Sequence, residues 1–190
     1  MSLPVTEVER ELLHTRRVRY EGYKRADGLW DIEAHLTDIK NHDYHLKTGV
    51  RRAGQPVHSM WLRLTIDRRF NVVEAAASSE AVPYPGGCES IAPAYRQLVG
   101  LNLVRGFRQK ANELLGGVRG CSHVTELAGM LATATFQTLA GQGLQDPERK
   151  PFQLGGCHAL AATSPVVARF YPRWYEGQEP LSPAGEEEHH

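Results

Sequence analysis

Cysteine is scarce in this chain: Cys88, Cys121 and Cys157 are the three in 190 residues. Three cysteines so far apart make no disulfide framework. Long apolar runs are missing too. None approaches the roughly 18 residues that a membrane span needs, and the opening MSLPVTEVERELLHTRR lacks the apolar stretch of a secretory leader. The expectation is a cytoplasmic protein with reduced thiols. Neither sign of charge is in excess: Lys and Arg number 22, Asp and Glu number 22, and the pI is about 7.1. No global field recruits nucleic acid or membrane, so neither is an expected partner. Internal repeats and low-complexity tracts are absent. So are a GxSxG elbow, a P-loop, a GxGxxG following a strand and an HExxH pair. Their absence removes the common serine-hydrolase, nucleotide-binding and zincin readings.

The composition is that of an ordinary globular protein, 41% hydrophobic and 23% charged. A chain of this length buries roughly 70% of the surface its unfolded form exposes and needs no staples. One domain is expected over 1–190, with an α+β core at 15–141 and an irregular tail at 142–178. Phe170, Tyr171, Trp174 and Tyr175 would pack that tail on the core, and the extreme ends stand outside it.

Asp27-Gly28 separates two β-type runs, a strong hairpin signal. In the second run Trp30, Ile32, Ala34 and Leu36 share one face by alternation, and Asp31, Glu33, His35 and Thr37 share the other. After the polar loop NHDYHLKTGVRRAGQP, the run VHSMWLRLTID puts His58, Met60, Leu62, Leu64 and Ile66 on one face. The turn DRRFN then leads to a third core strand, VVEAAASSEAV. Three helices come next: CESIAPAYRQLVG with Pro93 in its first turn, LNLVRGFRQKANELLGG closed by Gly116-Gly117, and SHVTELAGMLATATFQTLAG. Strands first and helices after imply an antiparallel sheet of three or more strands with helices packed on one face. The basic cluster Arg16, Arg17, Arg19, Lys24 and Arg25 reads as solvated charge along an edge strand.

Candidate chemistry gathers where elements begin. His58 opens a central strand on its apolar face, Cys88 follows PGG at a helix start, and Cys121 with His123 follows GGVRG at another. If the helices cover one face, these openings converge at one end of the domain. Two thiolates and two imidazoles suit zinc. A helix N-terminus also lowers a thiol pKa, which favours the thiolate that binds metal or attacks an electrophile. Taken singly, each of these residues also fits a structural role, since free cysteine is commonly buried and inert.

From Gly54 to Phe136 the chain also resembles the iron–sulfur cluster assembly scaffolds of the NifU and SufE type. PVHSMWLRL stands where those scaffolds carry a Pro-x-Cys-Gly-Asp turn, with His58 at the place of the cysteine and Met60 at that of the aspartate. GCES with Cys88 and GCSH with Cys121 and His123 match their later cysteine-bearing helix starts. The resemblance implies a scaffold-like fold carrying a changed site. A mononuclear zinc or iron ion suits that site better than an iron–sulfur cluster, which three cysteines hold better. With DGLWDIEAHLTD, GCSHVTEL and YPRWY, the whole chain is also similar to a bacterial domain family of unknown function.

A second constellation, Asp31, Glu33, His35 and Asp38, lies within WDIEAHLTD. Glu33 and His35 share a strand face and suit a metal or an acid–base pair. They equally suit cross-strand pairing with Arg63 and Thr65. Asp38 alternates onto the inner face, toward the helix openings. Glu126, three residues past His123, is the expected general base if the protein is an enzyme. Cys157 and His158 read as structural. The sequence therefore supports one metal site on His58, Cys88, Cys121 and His123, acting on a small molecule or serving a protein partner. The alternative is a metal-free interaction module in which the Arg16–Arg25 hairpin recruits a partner.

Overall fold

The computed structural model describes residues 3–142 and 148–177. The extreme ends of the chain and part of the expected tail lie outside the described residues. Six strands are present among the described residues: β1 (His14–Lys24), β2 (Trp30–Lys40), β3 (Tyr44–Leu46), β4 (Gly49–Arg51), β5 (Pro56–Ile66) and β6 (Val72–Ala81). β1, β2, β5 and β6 form one antiparallel sheet in that order, and β3 pairs with β4 in a separate small hairpin. The architecture is thus α+β, built on a four-stranded antiparallel sheet.

Alternation decides which face of the sheet is covered. Ile32, Ala34 and Leu36 of β2 and Leu62, Leu64 and Ile66 of β5 are fully buried. Their register partners confirm a shared face: Ile32 lies opposite Leu64, and Leu36 opposite Met60. The helix α2 (Ser122–Leu139) lies against this face. Its inward stripe is Val124, Leu127, Ala128, Leu131, Thr135 and Leu139. The approach is close at the edge strand, where a methyl group added at Gly22 would overlap the Thr138 side chain. Each large side chain buried here contributes roughly 1.5–3 kcal/mol.

Two segments differ from the expectation. The first helix is a 3-10 stretch, Glu89–Leu98, with Pro93 inside it. Pro93 has no N–H to give to an α-helical ladder. The second is confined to α1 (Phe107–Leu115), because Gly106 in the left-handed region (φ 66°) sets its start. The polar loop after β2 holds the β3–β4 hairpin, a pairing too short to carry a readable alternation.

The chain divides into two compact units after Ala140. The second holds α3 (Pro165–Phe170), whose start is capped by Ser164 accepting from the Val167 N–H at 3.2 Å. Ion pairs Lys150–Glu176 (3.0 Å) and Arg173–Glu148 (2.9 Å) tie that unit internally.

Candidate metal centre

The antiparallel register places Arg16 opposite Asp38 and Asp38 opposite His58. These three side chains therefore meet on the covered face at one end of the sheet. The start of α2 brings His123 to the same place. Asp38 is 4% exposed, and a bare carboxylate at that depth would be strongly unfavourable. It is compensated on both oxygens. Its Oδ1 accepts from Arg16 Nε at 2.9 Å and lies 2.8 Å from His14 Nε2. Its Oδ2 accepts from Arg16 Nη2 at 2.9 Å and lies 3.0 Å from His58 Nδ1. His123 Nε2 approaches Oδ2 at 3.7 Å, and the His58 and His123 rings lie 4.0 Å apart.

Burial alone would push the Asp38 carboxyl up. The hydrogen bonds from Arg16 and His14 and the neighbouring positive charge outweigh it and hold the carboxyl well below its ordinary range. Burial, together with His123 beside it, pulls the His58 imidazole below its usual value despite the pull of Asp38. A neutral imidazole is the form that binds metal. At Cys121 burial raises the thiol, but the His123 contact and the N–H groups of the helix start prevail, and the net shift is downward.

Ligating atoms of Asp38, His58 and His123 all lie within 4.8 Å of one another, and this is the one such group of three among the described residues. Of the expected ligands, His58 and His123 meet. Cys121 stands behind them, its Sγ 3.8 Å from His123 Nδ1, and is outside the group. Cys88 is half-buried at the start of the 3-10 stretch and joins no such group either. Asp38, a secondary candidate from the sequence, is the buried centre. Glu126 faces the same end but is largely exposed, holding Arg16 Nη1 at 2.8 Å. Glu33 and His35 lie on the opposite face. There Glu33 sits 3.6 Å from Arg63, and His35 stacks on Trp61 at 3.9 Å and contacts Ser59 Oγ at 3.0 Å.

Tyr95, fully buried, fixes the start of α2. Its hydroxyl oxygen accepts from the Cys121 N–H at 3.0 Å and lies 2.9 Å from Thr125 Oγ1. A groove of about 1,040 Å³ runs between α1 and α2, with Phe107, Asn112, Ser122, Glu126 and Met130 in its lining.

Sequence reasoning missed His14 and misplaced Arg16. The solvated-edge reading of the basic cluster fails at Arg16, whose guanidinium is engaged by one buried and one exposed carboxylate. The signal was available: His14, Arg16 and Val18 alternate onto one face, and a hairpin centred on Asp27 pairs residue 16 with residue 38.

Residues 14–137, which span every residue of this site, match the model of a family described as "Protein of unknown function (DUF2889)". The chain belongs to that family. The DUF2889 segment runs from the first residue of β1 nearly to the end of α2. No curated protein and no solved structure gives a significant match. The comparisons thus do not support the likeness to NifU- and SufE-type scaffolds, and the scaffold-like fold is not confirmed. No helix among the described residues is long and apolar enough to cross a membrane.

Proposed function

We propose that this DUF2889 protein binds one divalent metal ion through Asp38, His58 and His123. One observation carries the reading: three ligating atoms, drawn from β2, β5 and the start of α2, lie within 4.8 Å of one another. Two imidazoles and a carboxylate are the donor set of His₂-carboxylate zinc enzymes and of non-haem iron(II) sites. Both keep a coordination position open, and an ion so held polarises a substrate oxygen or activates water. The substrate is a small molecule. Small-molecule sites occupy roughly 300–1,000 Å³, and the α1–α2 groove, of similar size, reaches Glu126. Three free cysteines suit a reducing compartment such as the cytoplasm.

The motif likeness to iron–sulfur scaffolds extends this reading to a metal carrier. His58 and His123 occupy matched places, but among the described residues the group Asp38, His58 and His123 contains no thiol, which disfavours a cluster. The test is cobalt(II) titration followed by d–d absorption. One ion per chain is expected, lost in a His58→Ala, His123→Ala double variant. Failure of the folded wild-type protein to bind, or full retention by the double variant, overturns the proposal.

A second reading has its own observation. Cys121 Sγ, the His123 ring and Asp38 lie in sequence, with gaps of 3.8 and 3.7 Å. That is the order of a thiol nucleophile, its base and an orienting carboxylate. Iodoacetamide labelling separates the two readings. Fast labelling of Cys121 that needs His123 and ignores chelator favours the nucleophile.

A further inference from the structure

We infer that Arg16 is a resident counter-cation of the metal site, and that an incoming ion displaces its Nη2 from Asp38 Oδ2, leaving the guanidinium held by Glu126 and Asp38 Oδ1. The inference rests on the metal-site reading and names how that site is regulated. The two oxygens of Asp38 carry different loads. Oδ1 is held by His14 at 2.8 Å and Arg16 Nε at 2.9 Å. Oδ2 faces both imidazoles, His58 at 3.0 Å and His123 at 3.7 Å. An ion shared by the three residues therefore binds Asp38 through Oδ2. That oxygen already accepts from Arg16 Nη2 at 2.9 Å.

A guanidinium and a dication cannot both lie against one carboxylate oxygen without strong repulsion, which at a few ångströms in a partly buried site is large. Arginine cannot relieve it by losing its proton. Its Nη2 must turn away from Oδ2, and a second acceptor is in place. Nη1 of Arg16 already donates to Glu126 Oε2 at 2.8 Å, and the Glu126 side chain is 58% exposed and free to follow. The Nε–Oδ1 bond can persist as an outer contact that orients the ligating carboxylate. Glu126 is then a positioning residue that holds the arginine off the ion, and its effect on metal binding must vanish when Arg16 is absent.

That dependence is measurable with zinc in competition with a chromophoric chelator, on the full chain. Arg16→Gln is expected to tighten zinc binding at least tenfold, because the competitor for Oδ2 is gone. Glu126→Gln is expected to weaken it about fivefold in the wild-type background and to leave it unchanged in the Arg16→Gln background. Weaker or unaltered binding by Arg16→Gln overturns the inference. So does a Glu126→Gln effect of equal size in both backgrounds, which is plain through-space attraction between Glu126 and the ion. Should Arg16→Gln fail to fold, the side-chain N–H signals of Arg16 in the wild-type protein decide the matter. Saturating zinc must shift them, and unmoved signals overturn the inference. Loss of zinc in the His58→Ala, His123→Ala variant keeps the two questions apart, since it tests the site and not the arginine.

Discussion

At the residue scale the molecule turns on one buried carboxylate. Asp38 is tolerated because Arg16, His14 and His58 surround it. Arg16 is itself about one-third exposed, so solvent screening limits what the pair contributes. Asp38→Asn is therefore expected to cost about 1–3 kcal/mol in urea unfolding at pH 7, with chelator present. The pH dependence separates two neighbours. Asp38 titrates lower in the folded chain than in the unfolded one, so the unfolded chain takes up protons first as pH falls. Its contribution is complete above about pH 5 and declines through pH 4 and below. His58 is also depressed, so folding disfavours its charged form. Its penalty is absent well above about pH 6.5 and grows as the medium is acidified below that value. In chelator, wild-type stability should fall in two windows. His58→Gln should flatten the one near pH 6 and Asp38→Asn the one near pH 4. A single window surviving both substitutions would mean that other groups control the acid limb.

At the element scale the site is made by four element ends and one clamp. β1 and β2 run antiparallel through their hairpin, which sets Arg16 across from Asp38. β5 adds His58 just before the register shifts beyond Asp38. The start of α2 is fixed by Tyr95, which bonds the Cys121 backbone and approaches Thr125. Tyr95→Phe removes that clamp and should cost about 1–2 kcal/mol. It should also weaken cobalt binding severalfold, since His123 lies two residues past the clamped Cys121. Unchanged cobalt affinity in a destabilised Tyr95→Phe protein would show that His123 is positioned by the sheet instead. Much of this frame was legible in the sequence. Trp30, Ile32, Ala34 and Leu36 alternate too regularly for anything but a half-covered strand, and His58 and Asp38 fall on that same face by parity. Cys88 was less legible. Its glycine-rich approach resembles that of Cys121, yet Pro93 makes Glu89–Leu98 a 3-10 stretch, and among the described residues the thiol joins no group of three candidate ligands. Arg16 was hidden for a different reason. A charge on an edge strand is usually solvated, and only the pairing across the hairpin reveals that this one meets a buried acid.

At the scale of the whole molecule the question is whether the proposed ion would build the fold or only occupy it. Small zinc domains are unfolded without metal because they bury too little. This chain is different: Ile32, Leu36, Leu62, Leu64, Leu98 and Leu131 are all fully buried, and Asp38 is already paired with Arg16. A core of that extent is expected to form without an ion, so chelation should leave a cooperative transition in place. On the proposed reading an ion is a ligand of the folded state alone, since the donors proposed for it come from positions 38, 58 and 123, far apart in the unfolded chain. At a free concentration 100 times its dissociation constant such a ligand adds about 2.7 kcal/mol. For a chain of this size that corresponds to a rise in Tm of roughly 5–10 °C. Calorimetry with zinc and with chelator should show that rise in the wild-type protein and none in the His58→Ala, His123→Ala variant. Complete loss of the transition in chelator would make the ion structural and the site closed. A rise in the double variant as large as in the wild type would place the ion somewhere other than Asp38, His58 and His123.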